Sequence, residues 1–312
     1  MQNGELKNMA NKKENEDLKL NESSTIEKSV NLETPGVLTA LSRRIREDID
    51  AYCVRAYDDG HRSHLGASII GQACARASWY TFRWIYYKHH TGRMLRLFQR
   101  GHLEEARFIE YLRGIGFEVF DVAIDGEQHR IKGVFGHFGG SLDGGAKFPE
   151  LYQINEPILT EFKTQGTGSK FVKMKEKGVR LTKPQHFAQM CVYGYKYQLK
   201  YALYMVVNKN DDDLHVEVVR LDWNFGAELE QKAERIISAI EPPEKLGMVP
   251  TYFECKYCDF LEVCHNGAPS EKNCRSCKNC FPADNAEWNC SKYGIVPKDF
   301  IKTGCGEWMS II

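Results

Sequence analysis

Glu161 and Lys163 stand two residues apart in ILTEFKT, residues 158–164, a stretch whose other residues suit a β-strand. Side chains alternate faces along a strand, so the spacing predicts that the acid and the lysine share one face while Phe162 turns to the other. Upstream, Asp143 in GGSLDGG sits among glycines that leave room for another group to come close. The 18 residues from Asp143 to Glu161 are enough for two sheet strands and a loop, so the two carboxylates can converge on one cation. A hard ion such as Mg²⁺ or Mn²⁺ takes one or two carboxylates and keeps waters and phosphate oxygens. A lysine beside it could hold or help deprotonate an attacking water, whose pKa the metal lowers. Alone, Glu-x-Lys equally describes a solvated strand with an ion pair worth little.

The chain that must position these groups has 312 residues, 42% of them hydrophobic, which can fill a sizeable core. Its 42 basic and 42 acidic residues cancel, so phosphate binding has to come from local patches. Residues 1–34 lack aromatics, are rich in Asn, Lys and Glu, and read as a disordered tail. The absence of a secretory pattern and of a long apolar run predicts a cytoplasmic protein with no membrane partner. After Gly36, Val37, Leu38, Leu41, Ile45, Ile49 and Tyr52 recur at helical spacing. A helix is expected from near Ser68, and others over 100–113, 184–198 and 226–240; strands are expected near 118–122, 136–142, 158–164, 201–208 and 214–222. The last two are joined as a hairpin by NDDD. This order predicts an α/β domain over 35–250 with a central mixed sheet flanked by helices.

Two basic runs flank the candidate site. Residues 74–100 hold six Lys or Arg and no acid, and 163–183 hold seven against Glu176 alone, with Gly166, Gly168 and Gly178 suggesting mobile loop backbone. Either run could be an ordinary solvated face or a phosphate-binding patch. Trp79, Tyr80, Phe82, Trp84 and Tyr86 are too dense to be all base-stacking groups, and most are expected in the core.

Taken together, these motifs resemble the PD-(D/E)XK nuclease superfamily, in the branch of lambda exonuclease, YqaJ-type recombinases and RecB-type nucleases. RGHLEEARFIEYL is similar to the family's Gly-x-x-x-(Glu/His) helix, with Glu105 four residues after Gly101, and QMCVY matches the Gln-x-x-x-Tyr signature through Gln189 and Tyr193. SLDGG stands for the first-aspartate motif, with Leu142 in place of the proline. The resemblance spans residues 68–193. It implies a restriction-endonuclease-like core, Mg²⁺ or Mn²⁺ held by Glu105, Asp143, Glu161 and the Phe162 carbonyl, and catalytic roles for Lys163, Gln189 and Tyr193. Glu104, beside Glu105, is expected to be solvated.

Eight of eleven cysteines lie between Cys255 and Cys305, which in a reducing compartment points to metal rather than disulfides. Cys255-x2-Cys258-x5-Cys264 lacks a nearby fourth thiolate, although His265 adjoins it. The resemblance to iron-sulfur nucleases of the RecB-like branch, AddB-type helicase-nucleases and spacer-acquisition nucleases among them, supplies Cys74 as that ligand and implies a [4Fe-4S] cluster; Zn²⁺ is the alternative. Cys274, Cys277, Cys290 and Cys305 form a second expected site, for Zn²⁺, with Cys280 a competing ligand. Residues 251–312 are thus expected to be a metal-binding region packed back on the nuclease domain. Cys53 and Cys191 read as core residues.

The expectation is a phage-type DNA exonuclease acting on double-stranded ends or single strands, in a host cytoplasm, alongside a single-strand annealing or recombination protein and with room for homo-oligomerisation. Ser68, Arg76, Lys170 and Lys173 are the expected DNA contacts. A spacer-acquisition-like endonuclease and a non-catalytic, metal-stapled DNA-binding module are the alternatives.

Overall fold

The computed structural model describes residues 31–166 and 168–312. The expected tail lies outside them as far as residue 30. The chain divides into two compact units after Ile49, and residues 251–312 fall in the same unit as the sheet. The helices of eight or more residues, among the described residues, are α1 (Val37–Tyr57), α2 (Ala75–Phe82), α3 (Gly92–Gly114), α4 (Ser169–Thr182), α5 (Pro184–Tyr197) and α6 (Trp223–Ser238). In α1 the expected apolar stripe forms, but Leu38, Leu41, Ile45, Ile49 and Tyr52 stay exposed and only Cys53 is buried.

The central sheet has five strands, β1 (Glu118–Phe120), β2 (Gly144–Lys147), β3 (Ile158–Gln165), β4 (Tyr201–Asn208) and β5 (Leu214–Arg220), in that spatial order. Neighbours are antiparallel except β3 and β4, which run parallel. A parallel pair needs a crossover, and α4 with α5 provides it. This corrects the expected loop over 166–183. Phe171, Met174 and Val179 are buried at near-helical spacing, and that apolar stripe outweighs the glycines. Gly178 breaks the helix with φ +74°, and a side chain there would meet the Glu217 carboxylate, which accepts the Val179 N–H at 2.8 Å.

The sheet carries a core on each face. Phe108 and Leu112 of α3 cover Val119, Ala146, Ile158, Phe162, Leu203 and Met205 on one side. On the other, Phe187 and Met190 of α5 and Leu229, Ala233 and Ile236 of α6 pack with Leu159, Ala202, Tyr204 and Val206. Asp222 caps α6 by accepting the Phe225 N–H at 3.1 Å, which starts the helix three residues before the sequence pattern does.

The cysteine-rich tail belongs to this second core. Trp288, Cys277, Cys280 and Ile301 are buried in one cluster with Trp79, Tyr80, Phe82 and Trp84, while Tyr86 is exposed. Arg83, in the basic run expected to be a solvated face or a phosphate-binding patch, is 1% exposed, and Arg275 is 3% exposed. Trp288 lies between them, its ring centroid 5.2 Å from one guanidinium and 4.6 Å from the other. Arg83 donates to the carbonyls of Cys277 and Cys280, and Arg275 to those of Phe82 and Ser63. Burying each charge costs several kcal/mol, more than the roughly 0.5–2 kcal/mol of a cation–π contact returns. Trp288 thus joins tail to core, and Trp288→Ala should cost about 3–5 kcal/mol of stability in denaturant unfolding. A loss below about 1 kcal/mol would mean that the tail folds apart from the sheet.

Candidate functional site

β3 runs through the middle of the sheet, with Glu161 opposite Tyr204 and Lys163 opposite Val206 of β4. Phe162 points to the α3 face, where it stacks on Phe108 at 5.1 Å. Asp143 lies between two sheets, after a strand at Phe138–Ser141 that pairs with Arg130–Gly133 and before β2. Gly144 makes that turn possible. Its φ is +143°, and a Cβ would come 2.8 Å from the Phe120 carbonyl and 3.1 Å from the Thr160 hydroxyl.

The turn delivers the Asp143 carboxylate onto β3, where it accepts the Phe162 N–H at 2.7 Å. The Lys163 ammonium stands 2.5 Å from Glu161, 3.7 Å from Asp143 and 2.9 Å from the Phe162 carbonyl, to which it donates. Three of the four expected cation ligands therefore surround one positive charge. Glu161 is fully buried, and neither of its oxygens has a hydrogen bond of good geometry. Burial pushes the Glu161 carboxyl up to about 7 against the pull of Lys163, and the surrounding carboxylates raise the Lys163 ammonium despite its own burial.

Glu105 comes from α3 and is half-buried, with His102 3.5 Å away one turn earlier. Burial and then the Asp143 charge raise its carboxyl, so it too faces the site. Glu104, expected to be solvated, is 7% exposed; both its oxygens accept from the single Arg107 Nη1, at 3.0 and 3.1 Å, and that contact offsets the burial. Gln189 donates to the Tyr193 hydroxyl at 3.2 Å, and that hydroxyl donates to the Ser141 carbonyl at 2.9 Å. The contact is possible because residue 140 is glycine: a Cβ there would lie 2.5 Å from the Tyr193 oxygen. The pair thereby holds the strand that leads to Asp143.

His186 escaped the sequence reading. It is one turn before Gln189 on the same face of α5, bonds the Tyr204 hydroxyl at 2.7 Å, and burial, with Lys163 next, pushes its imidazole down to about 3. Its position at i−3 from Gln189 and i−7 from Tyr193 was the available signal.

The expected DNA contacts are dispersed. Lys170 and Lys173 are exposed on α4, whereas Ser68 accepts from Arg62 at 3.3 Å. Arg76 is tied to the Tyr80 hydroxyl and the Pro243 carbonyl, both at 2.8 Å.

Cys74, Cys255, Cys258 and Cys264 line one narrow cavity with Tyr80, Phe260 and His265, whose Nε2 is buried without a partner. Cys74 caps α2, its sulfur accepting the Ala77 N–H at 3.4 Å. Cys274, Cys277, Cys280, Cys290 and Cys305 line a second cavity. Among the described residues, no group of three or more His, Cys, Asp or Glu side chains is placed to hold a metal ion. Lys163 stands between the carboxylates, and thiols such as Cys74 are turned to local partners.

No family model matches the chain, and no curated protein matches it. Among solved structures it is similar to the crystal structure of SSO0001 at 16% identity and TM-score 0.44, over 72% of this chain and 97% of that one. It is also similar to an alkaline exonuclease, LHK-Exo, from Laribacter hongkongensis, at 15% identity and TM-score 0.37, over 61% of this chain and 90% of that one. The complex of LHK-Exo with dAMP matches over the same shares at 17% identity and TM-score 0.37. At that distance the chemistry rests on the residues themselves.

Removing the lysine should leave Glu161 as an uncompensated buried charge. Lys163→Met is expected to destabilise the metal-free protein by about 3–5 kcal/mol at pH 8. Because the folded carboxyl then titrates above its unfolded value, the penalty is absent below the unfolded pKa and grows as pH rises through the folded one. Unfolding curves at pH 5 and pH 8 with equal penalties would contradict this geometry.

Proposed function

We propose that the protein is a divalent-metal-dependent DNA nuclease, and specifically an exonuclease that hydrolyses phosphodiester bonds from DNA ends in recombination or DNA degradation. The observation that carries this reading is the convergence of Asp143, Glu161 and the Phe162 carbonyl on one positive charge, an arrangement of hard oxygens with a buried, poorly bonded carboxylate. Those groups, with Glu105, would hold Mg²⁺ or Mn²⁺. The ion would lower the pKa of a bound water and offset charge on the scissile phosphate.

The chain's own residues do the rest. Lys163 would orient the attacking water through its ammonium and stabilise the phosphate oxygens as charge builds on them. Gln189 and Tyr193 keep the strand before Asp143 in register with β3. His186, neutral and bonded to Tyr204, supports the wall beside Lys163 without adding a second charge. Lys170 and Lys173, exposed on α4 after the glycine-bearing loop, suit the sugar-phosphate backbone of the DNA partner.

The first cysteine cavity fits a soft metal by its donor set. Four thiols meet apolar walls, and in this reading Cys74, Cys255, Cys258 and Cys264 hold a [4Fe-4S] cluster that ties the start of α2 to the tail. Protein purified without oxygen should then be brown and contain iron, and Cys74→Ser should lose both properties; colourless parent protein carrying zinc at these thiols would sink the cluster.

For the nuclease itself, linear duplex DNA should be shortened from its ends with Mg²⁺ or Mn²⁺ and left intact in a chelator. Asp143→Ala and Lys163→Ala should each slow cleavage by about 10²–10³-fold or more. Variants that cut as fast as the parent would refute the mechanism, and discrete internal fragments would replace the exonuclease with an endonuclease.

A further inference from the structure

Arg83 and Arg275 pose a charge problem that the candidate nuclease site does not answer. Both are buried, neither is within ion-pair distance of a carboxylate among the described residues, and the Nε of each lacks a hydrogen-bond partner. Carbonyls and indole faces satisfy part of each guanidinium but bring no negative charge. The groups in reach that could become anions are the thiols of cysteines. Cys277 and Cys280 act electrostatically on Arg83, and Cys280 on Arg275.

Those cysteines belong to the second cavity, about 210 Å³ in volume, lined by five thiols together with Val296, Pro297, Phe300 and Trp308. Local structure brings the thiols there. Cys274 and Cys277 sit on one tight turn, closed by the Cys277 N–H to the Cys274 carbonyl at 3.1 Å. Cys290 lies opposite Cys280 in a short antiparallel ladder, so their side chains share a face. Cys305 comes from the segment after the last short helix, and Cys274 has Cys305, Cys277, Cys290 and Cys280 as its ionisable neighbours. Arg83 reaches the turn that carries these thiols directly, donating to the carbonyls of both Cys277 and Cys280.

We infer that this cavity binds one Zn²⁺ ion through Cys274, Cys277, Cys290 and Cys305, and that the buried pair Arg83 and Arg275 supplies its counter-charge. Four thiolates around one Zn²⁺ leave two negative charges in excess, and two guanidinium groups cancel them. Metal binding releases the thiol protons to solvent, so no oxidant or other reactant is required. The Cys274 thiol, which lies 3.6 Å from the Phe300 carbonyl, has only to turn into the cavity. Each component alone is unfavourable: free thiolates would repel one another, and the arginines would be bare charges in an aromatic core. Together they form a neutral unit, and that accounts for why the tail packs on α2 through two arginines rather than through aliphatic side chains.

The test uses the full chain and does not depend on nuclease activity, so its failure is separate from failure of the nuclease reading. Metal content is measured on the parent and on variants, and zinc release is followed with a chromogenic chelator. Cys305→Ser, at an exposed position, should lower zinc by one equivalent; Cys280→Ser should keep it. Replacing the metal with Co²⁺ should give the intense thiolate-to-cobalt absorption of a four-thiolate site in the parent and not in Cys305→Ser. Arg83→Gln should release zinc about 10–100-fold faster than the parent, while Arg83→Lys, which keeps the charge, should stay within about threefold. Equal zinc in the parent and Cys305→Ser would overturn the site, and zinc lost from Cys280→Ser but kept by Cys305→Ser would overturn the quartet. Equal release from the Gln and Lys variants would overturn the counter-charge. Should Arg83→Gln fail to fold, the same comparison is made with Arg275→Gln and Arg275→Lys.

Discussion

The ammonium of Lys163, held between the carboxylates of Glu161 and Asp143, is the contact on which the rest of the structure depends. Glu161 has no exposure at all and no other well-made polar bond, so β3 can carry it through the sheet only while a positive charge lies beside it. The elements nearby are arranged to keep that charge there. Gly144 turns the chain so that Asp143 meets β3, Gly140 admits the Tyr193 hydroxyl, and α4 with α5 closes the parallel crossover that fixes Tyr204 beside Glu161. The resulting site is strained in its electrostatics rather than in its backbone. In the proposed reading a cation of higher charge, surrounded by the same oxygens, would relieve that strain, and the lysine would then be available to water and phosphate.

A second electrostatic arrangement holds the other end of the molecule. Where the candidate site puts excess negative charge around one lysine, the layer between α2 and the tail puts two arginines around one tryptophan. Both are compact, largely dry and unfavourable without a counter-ion. In the proposed reading one would take a hard cation bound by oxygens and the other negative charge from thiolates, so the two sites would differ in ligand type and would not compete for the same metal.

Much of this was legible in the sequence because the signals were periodic. The strand at 158–164, the hairpin after Tyr201 and the helix carrying Gln189 and Tyr193 follow from alternation and turn chemistry, and the same alternation puts Glu161 beside Lys163. The expected α/β architecture with a mixed central sheet flanked by helices is the one observed. What was missed depended on tertiary context. The glycines at 166, 168 and 178 read as loop; Gly166 and Gly168 do precede the helix, but buried Phe171, Met174 and Val179 make Ser169–Thr182 helical despite Gly178. Glu104 reads as solvated because its local i,i+3 partner Arg107 signals an ion pair but not burial, and nothing local announces the carbonyls that accept from buried Arg83. His186 carried a helical-spacing signal, but its role beside Lys163 appears only when β4 brings Tyr204 to it.

The central claim is that Asp143, Glu161 and Lys163 form a cation site in which the metal takes the lysine's place. Titration of Mn²⁺ into the full-length protein, followed by electron paramagnetic resonance, measures this directly, since bound and free Mn²⁺ give distinct signals. The account predicts saturable binding at neutral pH that Asp143→Asn abolishes and that Lys163→Met strengthens, because the competing ammonium is gone. Binding unchanged by Asp143→Asn, or weakened by Lys163→Met, would contradict it.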